Sequence, residues 1–544
     1  MRILIGGAWP YANGSLHIGH LAALLPGDVL ARYHRQKGDE VSYVSGSDCH
    51  GTPVVLRARQ EGLSPREVSD KYHLEFSDCF RRLGFSYDHY GKTSDPGHKA
   101  FVTEFHRTMY DQGYVYEKEE EQAYCEHCGQ FLPDRFITGT CPLCGGKARG
   151  DQCEACNGIL EPERLIDSRC GLCGHEPVFR RTRHLYLAIT RLKEKLEDYL
   201  ALHPGWRRNA FEATKRYIRE GLRDRAITRD LDWGIDVPRE GYEEKRIYIW
   251  WENVLGYLSA SLAHANETGR DIQALWGKDA KHYFVHGKDN IPFHTIILPS
   301  LLLAHGGGWR LPDEIISSEH LTLEGRKIST SADWAIWVKD IVGCYNPDTI
   351  RYFFLTNGPE KRDSDFSWRE FIHTNNGELL GAYGNLVNRT LVFVHKSFGG
   401  IIPEGTTDEN IQRTLRESYE RTGALIEKGE FKAALSGVFD CIRGMNKYFD
   451  EERPWVTIRE DRAKCADTLY NCANAIQNLA VLLHPFLPFS SEKVLGWLGG
   501  SDEWQYRQVK PGQAVGAISI LFERLHPDVI EKELGQLGKK TRRG

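Results

Sequence analysis

The sequence predicts a parallel-sheet α/β unit interrupted by a metal-knuckle insertion and followed by an all-α helical bundle. Three observations carry this. Short apolar runs (residues 3–5 and 41–45) alternate with a long helical pattern through Ala22, Leu25, Val29 and Tyr33, and strand–helix alternation of that kind builds parallel sheets. Four Cys-x-x-Cys pairs fall between Cys125 and Cys173. Beyond about Asn376 the strand signals stop, and amphipathic patterns over 379–394, 410–427, 431–449, 463–483 and 490–498 are joined by short loops, the mark of a bundle.

Composition bounds the function. A chain of 544 residues is too long for one core and implies several domains. Hydrophobic content of 41% and charged content of 27% suit a soluble globular protein. The first residues lack the apolar core of an export signal and no stretch approaches a membrane span, so a cytoplasmic protein with no membrane partner is expected. In that compartment paired cysteines indicate metal rather than disulfides. A net charge of −5 excludes a uniformly basic coat, so any nucleic acid must be met by local patches.

The first element is a strand at residues 3–5, ended by a turn at Gly14 with Ser15 as the expected cap of the following helix. His17 and His20, three apart, share one face of its first turn. Imidazoles beside free helix N–H groups suit a phosphate. A second strand at 41–45 delivers Gly46-Ser-Asp-Cys-His-Gly-Thr52 to the carboxyl edge of the sheet, where ligands of such sheets bind. There Asp48 can hold an amino group, or simply cap the helix starting near Thr52.

In the insertion, two knuckles give one tetrahedral four-thiolate zinc site, so four pairs hold two. The spacing suggests nesting. Cys141/Cys144 with Cys153/Cys156 close one site across a short loop, and Cys125/Cys128 with Cys170/Cys173 close the second around it. All-thiolate sites with no open position are structural. The other cysteines, Cys49, Cys79, Cys344, Cys441, Cys465 and Cys472, lack pair spacing.

An Arg-rich helical run at 215–223 leads back through Arg225-Ala-Ile-Thr-Arg-Asp-Leu-Asp-Trp-Gly234. Residues 247–251 read as an apolar strand, with 252–257 at the head of a helix, and 284–294 as strand, turn and helix. A polar loop, Gly325-Arg-Lys-Ile-Ser-Thr-Ser331, follows. In the bundle, Asn385 and Arg389 lie four apart on one helix face, and Trp455 is placed in a loop after 449–452. An exposed aromatic with an Arg/Asn pair supplies what unstacked RNA bases need, a stacking platform and edge hydrogen bonds. The tail from Gly538 is basic.

The stretch Pro10-Tyr-Ala-Asn-Gly-Ser-Leu-His-Ile-Gly-His20 resembles the HIGH motif of class I aminoacyl-tRNA synthetases, and Pro-Tyr-Ala-Asn-Gly is the wording of the methionyl enzymes. Residues 48–53 resemble their Asp-x-His-Gly-Thr-Pro block, 131–136 the connective insertion of their two-zinc form, and 225–234 their return crossing. The 325–331 loop resembles the mobile KMSKS loop, keeping Lys327, Ser329 and Ser331 but with Thr330 in place of the second lysine. The resemblance covers about residues 1–525. It implies a Rossmann-like catalytic domain in two halves (1–115 and 241–320), a connective insertion (116–240, knuckles 125–173), a KMSKS-loop and stem-contact region (321–375), an anticodon-binding bundle (376–525) and a basic tail (526–544).

It also implies the activity: methionine activated by ATP to methionyl-adenylate, then transferred to the 3′-terminal adenosine of methionine tRNA, elongator and initiator. With no appended tRNA-binding or dimerising domain read after the bundle, a monomer is expected. Its catalytic residues would be His17, His20, Lys327, Thr330 and Arg229, with Gly19, Gly287, Asp289 and Ser329 also at ATP. The methionine site would comprise Ala8, Trp9, Tyr11, Asp48, Trp250, Asn253, Val254, Tyr257 and His294. Asn385, Arg389 and Trp455 would read the anticodon. Mg²⁺ accompanies ATP, and one or two Zn²⁺ are structural. Three positions depart from the pattern: Thr330, Asn253-Val254 where Ala-Pro is usual, and Trp9 where leucine is common. The alternatives are a class I synthetase for another amino acid, a nucleotidyltransferase with a similar His-x-x-His phosphate site, or a catalytically weak tRNA-binding paralogue. The first is opposed by the nested knuckles and the Asn385/Arg389/Trp455 trio, and the second leaves the bundle without a purpose.

Overall fold

A computed structural model describes residues 1–132, 136–150, 152–153, 156, 160, 164–330 and 332–539. Five strands form the central sheet: β1 (Arg2–Gly7), β2 (Glu40–Ser47), β3 (His89–Lys92), β4 (Ala280–Gly287) and β5 (Glu314–Ser318). Their order is β5-β4-β1-β2-β3, and every pairing is parallel. Past their first residues β1 and β2 are buried on both faces, which is why they read as continuous apolar runs. The chain winds outward from β1 to β3, leaves the sheet, and returns beside β1 as β4. That reversal opens a crevice at the carboxyl ends of β1 and β4, where open α/β sheets bind ligands.

The excursion between the halves is carried by a long antiparallel pair, Val115–Cys125 with Val178–Leu187. Its exposed face sets Arg181 opposite Glu121 and Arg183 opposite Glu119, opposite charges that favour this register. The cysteine knuckles sit at its far end in a small core of their own, with Ala123, Leu132, Phe136 and Ile137. Residues 133–135 of the 131–136 segment lie outside the described residues.

The strand expected at 247–251 is shorter. Only Arg246–Ile247 pairs, with Thr228–Arg229 and Ile235–Asp236; Ile249–Trp251 and Asn253–Leu255 then wind into two 3₁₀ turns. The apolar run is explained by tertiary burial rather than by a ladder. Trp251 is fully buried, and its indole N–H donates to the Ala226 carbonyl at 2.8 Å. The helix that follows is α2 (Gly256–Thr268); the first, α1 (Ile18–Gln36), opens beyond β1.

α1 is the shared wall between sheet and bundle. Its Tyr33 ring meets Trp504 edge-on at 4.9 Å, and its hydroxyl donates to Glu427 at 2.8 Å. Asp28 of α1 pairs at 2.7 Å with Arg351 of α3 (Pro347–Thr356), both fully buried. The bundle comprises α4 (Asn385–Phe398), α5 (Glu409–Glu427), α6 (Phe431–Glu452), α7 (Pro454–Glu460), α8 (Arg462–Leu483) and α9 (Pro488–Leu498). Trp455 is therefore in the first turn of a short helix, not in a loop. Pro454 stands at N1, where its missing N–H costs nothing. The basic tail holds a further helix, α10 (Asp528–Leu534), and the chain after it folds back so that the Gly538 N–H donates to the Asp333 carbonyl at 3.1 Å. Residues 540–544 lie outside the described residues. Among the described residues no helix is long and apolar enough to cross a membrane.

Candidate active site

The residues after β1, β2 and β4 converge on the crevice. Asp48 and the Pro10–Ala12 backbone interlock there: the Asp48 N–H donates to the Pro10 carbonyl and the Ala12 N–H to the Asp48 carbonyl, each at 2.8 Å. Ala8 is held by its N–H to the Val285 carbonyl at 2.9 Å. Backbone bonds between neighbouring strand ends thus fix the Ala8–Tyr11 and Asp48 segments relative to each other.

α1 starts two residues later than Ser15 suggests. The cap is His17, whose Nδ1 accepts from the Gly19 N–H at 3.1 Å, while His20 Nδ1 accepts from the His17 N–H at 3.2 Å. Imidazoles occupy the places usually taken by Ser and Glu in a capping box. Because both Nδ1 atoms accept, the ring protons are on Nε2, leaving two N–H donors beside the helix start. Burial, with His20 alongside, pushes His17 down to about 2, and burial pushes His20 down to about 4. Both rings are neutral donors near pH 7. Gly19 is needed here, since a Cβ would stand 2.9 Å from the His17 ring.

The described part of the expected loop, residues 325–330, belongs to a hairpin rather than an open loop. Leu321–Leu323 pairs with Arg326–Lys327 around Glu324 and Gly325, both at positive φ, and Ser329 then bridges Trp334 by two backbone bonds of 2.9 Å. Its exit crosses the start of α1: the Ile18 N–H donates to the Ile336 carbonyl at 3.0 Å and the Val338 N–H to the Leu16 carbonyl at 2.8 Å. Lys327 and Thr330 are exposed, and the Arg326 guanidinium stacks on Trp334 at 4.1 Å. Ser331 lies outside the described residues. Across the crevice, beyond Gly287 at the end of β4, the exposed Asp289 carboxylate faces His320 Nε2 at 3.2 Å.

The expected amino-acid pocket is brought together around Tyr257. Its hydroxyl meets His294 Nε2 at 2.8 Å, and Trp9 approaches its ring edge-on at 6.4 Å. Trp9 lies against Gly46 and Gly256, where Cβ atoms would stand 2.3 and 2.7 Å from the indole. Those two glycines make the larger side chain possible. Trp250 packs on Phe293 at 5.1 Å, Val254 is buried, and Tyr11 is exposed. Asp48 is fully buried and takes a 2.9 Å hydrogen bond from the Asn253 amide. It does not cap the next helix, whose N-cap is Gly51. Burial and the neighbouring Glu252 raise its pKa well above the usual range. Arg229 lies over the Tyr248 ring at 3.9 Å, and Tyr248 in turn packs on Trp250.

Sequence reasoning missed the charge behind this pocket. Glu252, fully buried, meets His50 Nδ1 at 2.8 Å and His98 Nε2 at 3.6 Å. Burial works to raise its pKa, but the two imidazoles outweigh it and hold it below the usual value. Residues so far apart in the chain offer no spacing signal; His50, inside the motif block, and Glu252, which aligns with an aspartate of the methionyl enzymes, could have been suspected singly, but not their meeting.

The cysteines assemble as the nesting predicts, into Cys125/Cys128/Cys170/Cys173 and Cys141/Cys144/Cys153/Cys156. Cross-pair sulfur separations are 3.4 and 3.9 Å in the outer cluster and 3.6 and 3.9 Å in the inner. Four thiolates about 2.3 Å from one Zn²⁺ would stand roughly 3.8 Å apart, so each cluster fits the ion. His127 and His175 also lie near Cys173. Their rings are stacked within 9° of parallel and cannot aim both lone pairs at one ion.

In the bundle the Arg389 guanidinium lies over Phe449 at 3.8 Å and pairs with Asp450 at 2.7 Å. The Asn385 amide reaches Asn446 at 3.5 Å, and Trp455, 48% exposed, sits against Phe449 at 6.2 Å. Asn385, Arg389 and Trp455 thus share one surface. The residue before α7, Arg453, is held at φ 47°, an uncommon conformation for a non-glycine residue.

The family described as tRNA synthetases class I (M) matches residues 3–391, and the anticodon binding domain of methionyl tRNA ligase matches 402–534. Methionine–tRNA ligase 1 of Alkaliphilus oremlandii is 54% identical over 542 residues, 99% of this chain and 100% of that protein. Methionine–tRNA ligase of Bacillus cereus is 51% identical over 99% of both chains. In fold, the chain is similar to Mycobacterium tuberculosis methionyl-tRNA synthetase solved with methionyl-adenylate: TM-score 0.80 at 23% identity, over 96% of this chain and 100% of that one. The sheet, the insertion and the helical domain are those of a class I aminoacyl-tRNA synthetase. Within that class the chain belongs to the methionine–tRNA ligase family, enzymes that use ATP to join methionine to its tRNA.

Proposed function

We propose that the chemistry is divided among this chain's residues as follows. Methionine binds with its amine at Asp48 and its thioether among Trp9, Trp250, Tyr257 and His294, with Ala8, Tyr11, Asn253 and Val254 completing the pocket; broad polarisable rings suit sulfur. ATP lies across the crevice, its ribose at Asp289 beyond Gly287 and its phosphates over Gly19 at the start of α1. The methionine carboxylate oxygen attacks the α-phosphorus, and the bond to the bridging oxygen breaks to release pyrophosphate. The terminal adenosine hydroxyl of tRNA then attacks the acyl carbon and AMP leaves. The reactants are intrinsically capable, so the protein positions them and stabilises phosphate charge.

The observation that carries this reading is the meeting of the α1 start with the 321–338 hairpin. It ties the start of α1, which carries His17 and His20, to the stretch that follows Lys327, Ser329 and Thr330, and this supports both sets of residues acting on the same phosphates. Thr330 offers a neutral donor where a cation is usual, which leaves Arg326 and Lys327 as the hairpin's cations, with Arg229 over the Tyr248 ring as a further one. Mg²⁺ enters with ATP. Two structural zincs in the cysteine clusters would order the insertion, and Asn385, Arg389 and Trp455 would bind the anticodon. A cytoplasmic monomer fits this assignment.

The test is ATP–pyrophosphate exchange with methionine, cysteine, leucine, isoleucine and valine, followed over pH. Exchange with methionine alone is expected. The two histidines, with pKa values lowered to about 2 and about 4, donate as neutral rings, so kcat/KM for ATP should hold from pH 8 to pH 6. A loss centred near 6.5 that vanishes in His20→Asn would overturn the neutral-donor assignment; exchange with another amino acid would overturn the pocket.

A further inference from the structure

The structure gives Asn253, one of the positions that depart from the resemblance, a definite task. Its side-chain N–H donates to Asp48 Oδ2 at 2.9 Å. With Asp48 ionised, the form that pairs with a cationic donor, this fixes the amide's orientation, because the opposite flip would set its oxygen against the carboxylate. Two acceptors then remain. Asp48 Oδ1 and Asn253 Oδ1 are both buried and neither meets a donor in hydrogen-bond geometry, although the His50 N–H lies near enough to favour the Asp48 carboxylate; the two side chains are already tied to one another. Buried acceptors left unmade are costly, and such a pair marks a place that a donor fills. Behind it Glu252, fully buried between His50 and His98, adds negative potential. The donor suited to this place has several protons and a positive charge.

We propose that Asn253 and Asp48 form a two-acceptor seat for the substrate's α-ammonium, making Asn253 a specificity-determining residue that selects an amine over a hydroxyl. This rests on the reading that methionine's amine binds at Asp48. An ammonium places one N–H on Asp48 Oδ1 and another on Asn253 Oδ1. A hydroxyl has a single proton and no charge, so it leaves one acceptor unmade. With alanine at this position Asp48 would do this alone; here the amide both steers the carboxylate and shares the ligand.

The experiment measures methionine-dependent ATP–pyrophosphate exchange in the native enzyme, Asn253→Ala and Asn253→Ser. Two competitive inhibitors serve as probes: methioninol, which keeps the amine, and 2-hydroxy-4-(methylthio)butanoate, which replaces it by a hydroxyl. In Asn253→Ala we expect a 10- to 100-fold rise in methionine KM and a parallel rise in methioninol Ki. ATP KM and the Ki of the hydroxy acid should change less than threefold. Asn253→Ser, which keeps one oxygen at the position, should fall between, and decides the matter if the alanine variant does not fold. A methionine KM within twofold of native, or equal weakening of the amine and hydroxy probes, would overturn the proposal, since a merely structural role moves both alike. Absence of methionine-dependent exchange in the native enzyme would instead sink the underlying pocket assignment.

Discussion

Replacing Arg351 by methionine should loosen the joint between the catalytic sheet and the bundle. The guanidinium and its partner Asp28 are both fully buried, 2.7 Å apart. The same group donates to the carbonyls of Phe486 at 2.8 Å, Pro485 at 3.0 Å and Leu83 at 3.1 Å. Methionine keeps the aliphatic stem and removes every donor. Each buried acceptor left unmade costs about 1–3 kcal/mol, and removing one partner of a buried pair costs about 3–5 kcal/mol overall. The lower part of that range is expected, because Asp28 retains Arg32 at 2.9 Å and the Ser86 N–H and hydroxyl at 2.7 and 2.6 Å. Against a typical stability of about 5–15 kcal/mol this is a large fraction. The pH dependence has a definite sign. Burial works to raise the Asp28 pKa, but Arg32, Arg351 and Ser86 outweigh it and hold the carboxyl well below its ordinary 3.8. A depressed carboxyl contributes stability above its unfolded pKa and loses it as pH falls toward the folded value. Urea unfolding at pH 7 and pH 3 should therefore show the full loss at pH 7 and a smaller one at pH 3. A loss below about 1 kcal/mol at pH 7, in a range typical of surface pairs, would refute the reasoning.

Two further perturbations separate the other sites. Zinc analysis should find two ions per chain, and Cys144→Ser should retain one, with the 137–170 segment newly open to proteolysis because metal binding supplies roughly 10–16 kcal/mol of local folding energy; unchanged zinc content would dismiss the inner site. Trp455→Ala should raise the tRNA KM in aminoacylation about 5- to 150-fold, the equivalent of about 1–3 kcal/mol of base stacking, while leaving methionine-dependent exchange untouched. Equal loss in both assays would show that Trp455 serves the fold instead.

Much of this architecture was legible because its signals are local. Strand runs buried on both faces, Cys-x-x-Cys knuckles and amphipathic helix periods each state their structure within a few residues. The nested pairing of the cysteines was suggested by spacing, since the short loop between the middle pairs leaves the outer pairs to each other, and by the resemblance of residues 131–136 to a two-zinc insertion. The misplacements share one cause: tertiary context chose among local options. Ser15 is a good cap in isolation, yet the imidazoles of His17 and His20 fold back onto the helix N–H groups instead. Residues 247–251 have the composition of a strand, but burial of Trp251 and the turns ahead of α2 consume them. Trp455 looked like a loop residue because Pro454 precedes it, and proline is equally suited to the first turn of a helix.

The sequence by itself determined the class, the order of the parts and most of the residues at the crevice, because motif wording and spacing are properties of the chain. Only the tertiary structure decided how those residues meet. It set the proton positions on His17 and His20, laid the 321–338 hairpin across the start of α1, gathered Glu252 with His50 and His98 behind Asp48, and left two acceptors unmade between Asp48 and Asn253. Each of these is a relation between side chains distant in sequence or differently folded back. Hydrogen-bond direction and burial, the quantities that govern charge and protonation, exist only once the chain has closed upon itself.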